Sequence, residues 1–324
     1  MVHIAAVPPY SGPSVVGMTG GRGWVLAVLG AAGFAAALGG FAAAAQDKGV
    51  AAAGALAAPC GGQEFMHDRV GGIVDGRDFL LGDGRTVHLA AIEVPLPPKA
   101  GDLRAAPGGA AAETALRGLT AGAQVVLRQA DLNLDRYGRT VAYAEASHGD
   151  SWHSVQADMV SAGFARVAGD IGSRACAAEL LRREDAARRA RLGLWALPYY
   201  QPIAADRLPA LLAQRSRFAL VEGTVVSVHA SGATLYVNFG RHWSQDFSVI
   251  VRKRYERKFA AANLDLQGLA GRRVRVRGWI EAHGGSAGGA ENGTGAGVWR
   301  APWIEATYPQ QIELIGHDVG RMTP

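Results

Sequence analysis

The stretch "LDRYGRTVAYAEA", residues 134–146, sets a charged turn between two apolar runs and opens a strand on an arginine, Arg139. An arginine so placed has two uses. Its fixed fork of N–H donors can anchor the turn, bonded to a carbonyl or to Glu93, or it can receive a phosphate. A second basic pattern lies further on, where "RRVRVRG" alternates Arg273, Arg275 and Arg277 with Val274 and Val276. A strand there carries its arginines on one face. Together with "RKRYERK" and the aromatic Tyr236 and Trp243, that face has the ingredients of a single-strand nucleic-acid groove: cations for the backbone, rings for the bases. A solvated exterior face is the alternative.

The chain has 324 residues, room for two ordinary domains. Hydrophobic residues make up 49% and charged residues 19%, which supports a packed core and excludes wholesale disorder. The formal charge of +5 tolerates anionic partners such as nucleic acid or a membrane surface, although solubility alone would account for it.

Residues 1–45 have the layout of a secretory signal peptide. Arg22 precedes an apolar run rich in alanine and glycine, and Ala43–Ala45 form an A-x-A-like end before Gln46. Met18 is a candidate start that would leave a short n-region. An uncleaved anchor is the rival, because the run is long enough to span a bilayer; its many Ala and Gly residues make it weakly hydrophobic, which favours cleavage. The expectation is a periplasmic or secreted protein, the alternative a membrane-anchored one outside the cytoplasm. Export changes the reading of Cys60 and Cys176, an even pair that an oxidising compartment would join as a disulfide.

Residues 46–62 are low-complexity and read as a tether. From Asp68, "RVGGIVDG", "RDFLLGDG" and "TVHLAAIEV" are short β-rich runs punctuated by Asp-Gly pairs, a hairpin signal. "AAAETALRGLTAG" reads as a helix, "AQVVLRQA" and "TVAYAEA" as strands. "SVQADMVSAGFARV" and "SRACAAELLRREDAARRARLGLW" have apolar residues at helical spacing. The basic run in the last of these reads as a solvated helix face. Five strands with a helix after the third suggest a small closed barrel of the OB type. Residues 200–217 read as a linker. A second set of strands over 218–316 predicts another OB-like small barrel, with "RKRYERKFAAANL" as its helix and a glycine-rich hairpin tip at 284–297, before a tail at 317–324.

The pieces "VDGRDFLLGDGRTVHLAAIEVP" and "LDRYGRTVAYAEA" and the basic helix ending "RLGLW", taken in order, resemble the thermonuclease or staphylococcal-nuclease-like (SNase-like) family over residues 63–199. The part beyond resembles the OB-like extension of some bacterial members. The resemblance implies an α+β fold, mainly β: an OB-type five-stranded barrel with three helices. It also implies calcium-assisted phosphodiester hydrolysis, in which carboxylates hold the metal, a glutamate helps activate water and two arginines neutralise the phosphate.

Carried over by position, Arg139 takes one arginine place and His88 the other. Arg77 stands where the first metal aspartate is expected; Asp78 is its neighbour and should point to the opposite strand face. Glu93 keeps the second metal position, Val94 replaces the threonine, and Leu96 occupies the place of the general base. Glu93 and Asp78 are thus the metal candidates for Ca²⁺, Arg139 and Arg77 the phosphate-binding candidates, and Arg139, His88 and Glu93 the catalytic candidates. A ligand set this incomplete predicts an exported protein that binds nucleic acid, DNA or RNA, with weak or no hydrolysis. An active divergent metal-dependent nuclease is the second reading, and an envelope interaction module the third.

Overall fold

The computed structural model describes residues 60–96, 106–242, 245–282 and 301–316. The expected signal or anchor, the tether before Cys60, Trp243, the glycine-rich insert and the tail lie outside the described residues.

The first lobe runs β1 (Glu64–Ile73), β2 (Asp78–Leu81), β3 (Thr86–Leu89), β4 (Ile92–Glu93), α1 (Gly109–Thr120), β5 (Gln124–Leu134), β6 (Thr140–His148), β7 (Ser151–Ser154), α2 (Val155–Ser161), β8 (Arg166–Val167) and α3 (Arg174–Arg189). Strands pair in the order β3-β2-β1-β5-β6, and a parallel pairing of β3 with β6 closes them into a five-stranded barrel. Alternation explains the closure: Phe79, Leu81, Val87, Leu89 and Leu127 all point inward and are buried. Leu116 of α1, Met159 of α2 and Leu180 of α3 complete that core. Ser154 and Ser173 cap α2 and α3 by accepting from Ala157 N and Cys176 N, each at 3.3 Å.

The run "TVHLAAIEV" is not one strand. It breaks at Ala91, whose φ of 65° lies in the left-handed region. Beyond the break Ile92 and Glu93 leave the barrel and pair with β8, Glu93 opposite Arg166. Likewise α2 stops at Ser161 because Gly163 turns with φ 75° under the Leu192 carbonyl, where a Cβ would lie 2.3 Å from the oxygen.

The second lobe contains β9 (Ile203–Ala204), α4 (Leu208–Ala213), β10 (Phe218–Thr224), β11 (Ser227–Ser231), β12 (Thr234–Asn238), β13 (Ser248–Arg252), α5 (Glu256–Ala261), β14 (Arg273–Trp279), β15 (Glu281–Ala282), β16 (Pro302–Glu305) and β17 (Ile312–Leu314). Where a second barrel was expected, the described residues form two sheets, β17-β14-β10-β9 and β11-β12-β13-β16-β15. The two share one core, including Val221, Val237, Val249, Phe259 and Val276. The expected linker is packed structure: β9 pairs with β10 and Leu211 of α4 is fully buried. Its prolines sit at helix starts and loop positions, which they tolerate.

A disulfide joins Cys60 to Cys176, with Cα atoms 4.4 Å apart. It ties the first described residue to α3. Among the described residues no helix is long and apolar enough to cross a membrane.

Candidate functional site

The turn that opens β6 is built by Asp135. Its Oδ1 accepts from the backbone N–H groups of Tyr137 and Arg139 at 2.8 and 3.0 Å, an arrangement that fixes how the chain enters the strand. Oδ2 of the same carboxylate accepts from Arg139 Nε at 2.7 Å. The guanidinium then reaches past β3 to the buried Asp78 of β2. Asp78 also receives His88, Nδ1 lying 2.5 Å from Oδ1, because the two residues face each other in the β2–β3 register. Burial opposes the charge on Asp78, but His88 and Arg139 together outweigh it and hold the carboxyl below its ordinary value. Arg139 is therefore held by two carboxylates rather than set beside Glu93 and Arg77.

Arg77 precedes β2, on a turn whose Asp75 side chain accepts from Arg77 N and Asp78 N. Arg77 Nη1 donates to Glu93 Oε2 at 3.0 Å. Burial pushes the Glu93 carboxyl up, against the pull of Arg77 and of Arg166 across the β4–β8 pair. Arg166 is itself buried, donates to the Phe218 carbonyl at 2.7 Å and lies over the rings of Tyr200 and Phe218. Its burial lowers its pKa, with Glu93 opposing. A cavity of about 290 Å³ opens beside these groups, lined among others by Arg77, His88, Glu93, Asp131, Asp170 and Tyr308.

The candidate residues thus form two ion-pair groups, Arg77 with Glu93, and Asp78 with His88, Arg139 and Asp135, which meet where His88 lines the same cavity as Glu93. Neighbouring positions 77 and 78 serve different groups. Leu96 is half exposed and carries no proton acceptor. Calcium needs several oxygen ligands. Here Glu93 is paired with Arg77, and Asp78 with His88 and Arg139. Among the described residues no group of three or more His, Cys, Asp or Glu is placed to hold a metal.

The proposed groove on β14 is also corrected. Arg273, Arg275 and Arg277 do share a face, but carboxylates from neighbouring strands lie along it. Glu222 of β10 takes Arg273 and Arg275, the latter at 2.8 Å, and Glu313 of β17 takes Arg275 and Arg277. Arg277 is buried against the first lobe, where its Nη2 donates to Glu184 at 2.7 Å and its Nη1 to the Val167 carbonyl at 3.0 Å. Of the three, Arg273 alone is exposed, and its guanidinium lies 3.4 Å from Glu222. Tyr236 is half-buried and stacks on His229, with ring centroids 5.2 Å apart. The basic run of α3 is a solvated face whose arginines pair with Glu179 and Asp185.

Three contributors carried little sequence signal: Arg166 sits inside an apolar helical-looking run, Asp170 in an irregular turn, and Tyr308 comes from the other lobe. The Asp135 turn was readable from "DRYGR".

The closed five-stranded barrel, its three helices and the arginine turn of β6 define a nuclease-type domain. Residues 86–197 match the family described as staphylococcal nuclease homologue, and that stretch is an SNase-like domain. The match takes in His88, Glu93 and Arg139 and begins after Arg77 and Asp78. No curated protein matches the chain.

Proposed function

We propose that this is an exported thermonuclease-family protein that binds nucleic acid and has lost calcium-dependent hydrolysis. The observation that carries the reading is the Arg77–Glu93 ion pair: a cation fills a metal ligand's place and neutralises the carboxylate that remains. With Leu96 in the base position no carboxylate there activates water, and removing a general base typically costs about 10²–10⁴ in rate. The scaffold's other use, holding phosphodiesters, needs only donors and positive charge. Export is supported by the signal-like N-terminus and by the Cys60–Cys176 bond, since such bonds persist in oxidising compartments. A second OB-like barrel over 218–316 is part of the proposal. It is supported by β10 running on into β11, β14 into β15, and β13 pairing in parallel with β16 as β3 does with β6.

One observation favours the divergent nuclease instead. Asp78 holds His88 through Nδ1, which leaves Nε2 as a potential base on a residue that lines the cavity. The test is a paired assay on disulfide-bonded protein, with oligonucleotide binding by fluorescence anisotropy and cleavage with calcium or with chelator. Binding without cleavage above background is expected in both conditions. Vigorous calcium-dependent cleavage that disappears in Arg139→Ala would overturn the reading and establish the divergent nuclease.

A further inference from the structure

Most arginines of the described residues that the sequence marks as basic clusters are matched by carboxylates, on α3 and β14 alike. The segment from the end of β13 into α5 is different. Lys253, Arg254, Arg257 and Lys258 are all exposed, and among the described residues no carboxylate forms an ion pair with any of them. The run from 253 to 258 contains one acid, Glu256, against these four cations.

Lys253 and Arg254 lie in a 3-10 turn that leads into α5, which carries Arg257 and Lys258, and like charges gathered this closely repel. The fold nonetheless holds them in place. Phe259 is fully buried in the lobe's core and Tyr255 packs against it, so the remaining side chains must face outward. Arg254 and Lys258 lie 4.7 and 5.3 Å from the Tyr255 ring centroid. Lys258 also sits 3.7 Å from the centroid of Tyr308, which lines the cavity of the SNase-like site. A fifth cation comes from the other lobe, as Arg174 Nη1 donates to the Ala261 carbonyl at 2.5 Å. Among the described residues tyrosine rings and no carboxylate partner face these cations, which leaves their charge available to an external polyanion.

We propose that this surface, Lys253, Arg254, Arg257 and Lys258 with Tyr308 at its inner edge, is where single-stranded nucleic acid binds. Phosphates lie along the cations and the chain leads over Tyr308 towards the cavity. The inference rests on the nucleic-acid reading above and relocates the contact from β14 to α5. Single strands are favoured over a flat anionic membrane because two of the cations, Arg254 and Lys258, are held against tyrosine rings beside a cavity, the pairing of charge and ring that single-strand sites use.

The test is anisotropy of a fluorescein-labelled thymidine 20-mer against a salt series, for the wild type and for Lys253→Ser/Arg254→Ser/Arg257→Ser/Lys258→Ser. All four sites are exposed, and circular dichroism checks that the variant folds. Each phosphate contact adds about −0.7 to the slope of log affinity against log salt. The variant should therefore lose at least about tenfold in affinity and most of a slope of roughly −2 to −3. Arg273→Ser should change neither. Wild type that binds, with a variant of equal affinity and slope, overturns this surface and leaves the proposed function standing. Wild type that binds no oligonucleotide overturns both. Binding confined to phosphatidylglycerol vesicles, lost in the variant, would make the patch a membrane contact and also refute the proposal.

Discussion

Replacing Arg277 with alanine should damage stability far more than nucleic-acid binding. The side chain is 1% exposed and that of Glu184 is 3% exposed, so the pair is shielded from water. Burial works against the arginine's charge, and Glu184 and Glu313 more than offset it, raising its pKa above the ordinary value. Without the arginine, Glu313 keeps Arg275 as a partner. Glu184 keeps the Val167 N–H, at 2.7 Å, and the more distant charge of Arg166. A buried charge left uncompensated costs about 3–5 kcal/mol. For domains of this size that corresponds to a fall of roughly 6–20 °C in melting temperature. Urea titration followed by tryptophan fluorescence would measure it. The double variant Arg277→Met/Glu184→Gln should recover most of the loss, because glutamine can still accept from Val167 N while the orphan charge is gone. A single-variant loss below about 1 kcal/mol would refute the buried clamp and return Arg277 to the candidates for nucleic-acid contact.

Reducing the Cys60–Cys176 bond, or Cys176→Ser, should cost roughly 4–5 kcal/mol, since the loop closed spans 116 residues; denaturant titration with and without reductant would show it. Asp78 titrates below its ordinary 3.8 in the folded protein, so the stability it adds is complete above that value and is lost as pH falls through the lower, folded one. Asp78→Asn should therefore flatten the stability–pH curve below about pH 4, in melts across a pH series, and leave its slope near neutrality unchanged. Arg77→Asp/Leu96→Glu, which returns two carboxylates to the pocket and frees Glu93, should gain a calcium-dependent rise in melting temperature that the wild type lacks.

How much of this was legible in the sequence depended on whether the signal was local. The barrel strands could be read because alternation and Asp-Gly turns are properties of short windows, and α1, α2 and α3 because their apolar spacing is. The break at Ala91 could not, since a left-handed alanine leaves no mark in composition; yet it takes Glu93 off the barrel and sets it opposite Arg166. The candidate residues could be picked out one by one, but their partners could not. Arg139 was placed near Glu93, whereas the structure gives it Asp135 from its own turn and Asp78 from a strand far away in sequence. The arginines of β14 show the same limit. Strand alternation put them on one face, but only the pairing of β14 with β10 and β17 reveals that Glu222 and Glu313 lie along that face. The run at 253–258 was read as an accessory to β14. With the arginines of β14 paired to carboxylates, it is the run whose cations have no carboxylate partner among the described residues, and the proposed polyanion contact is placed there for that reason.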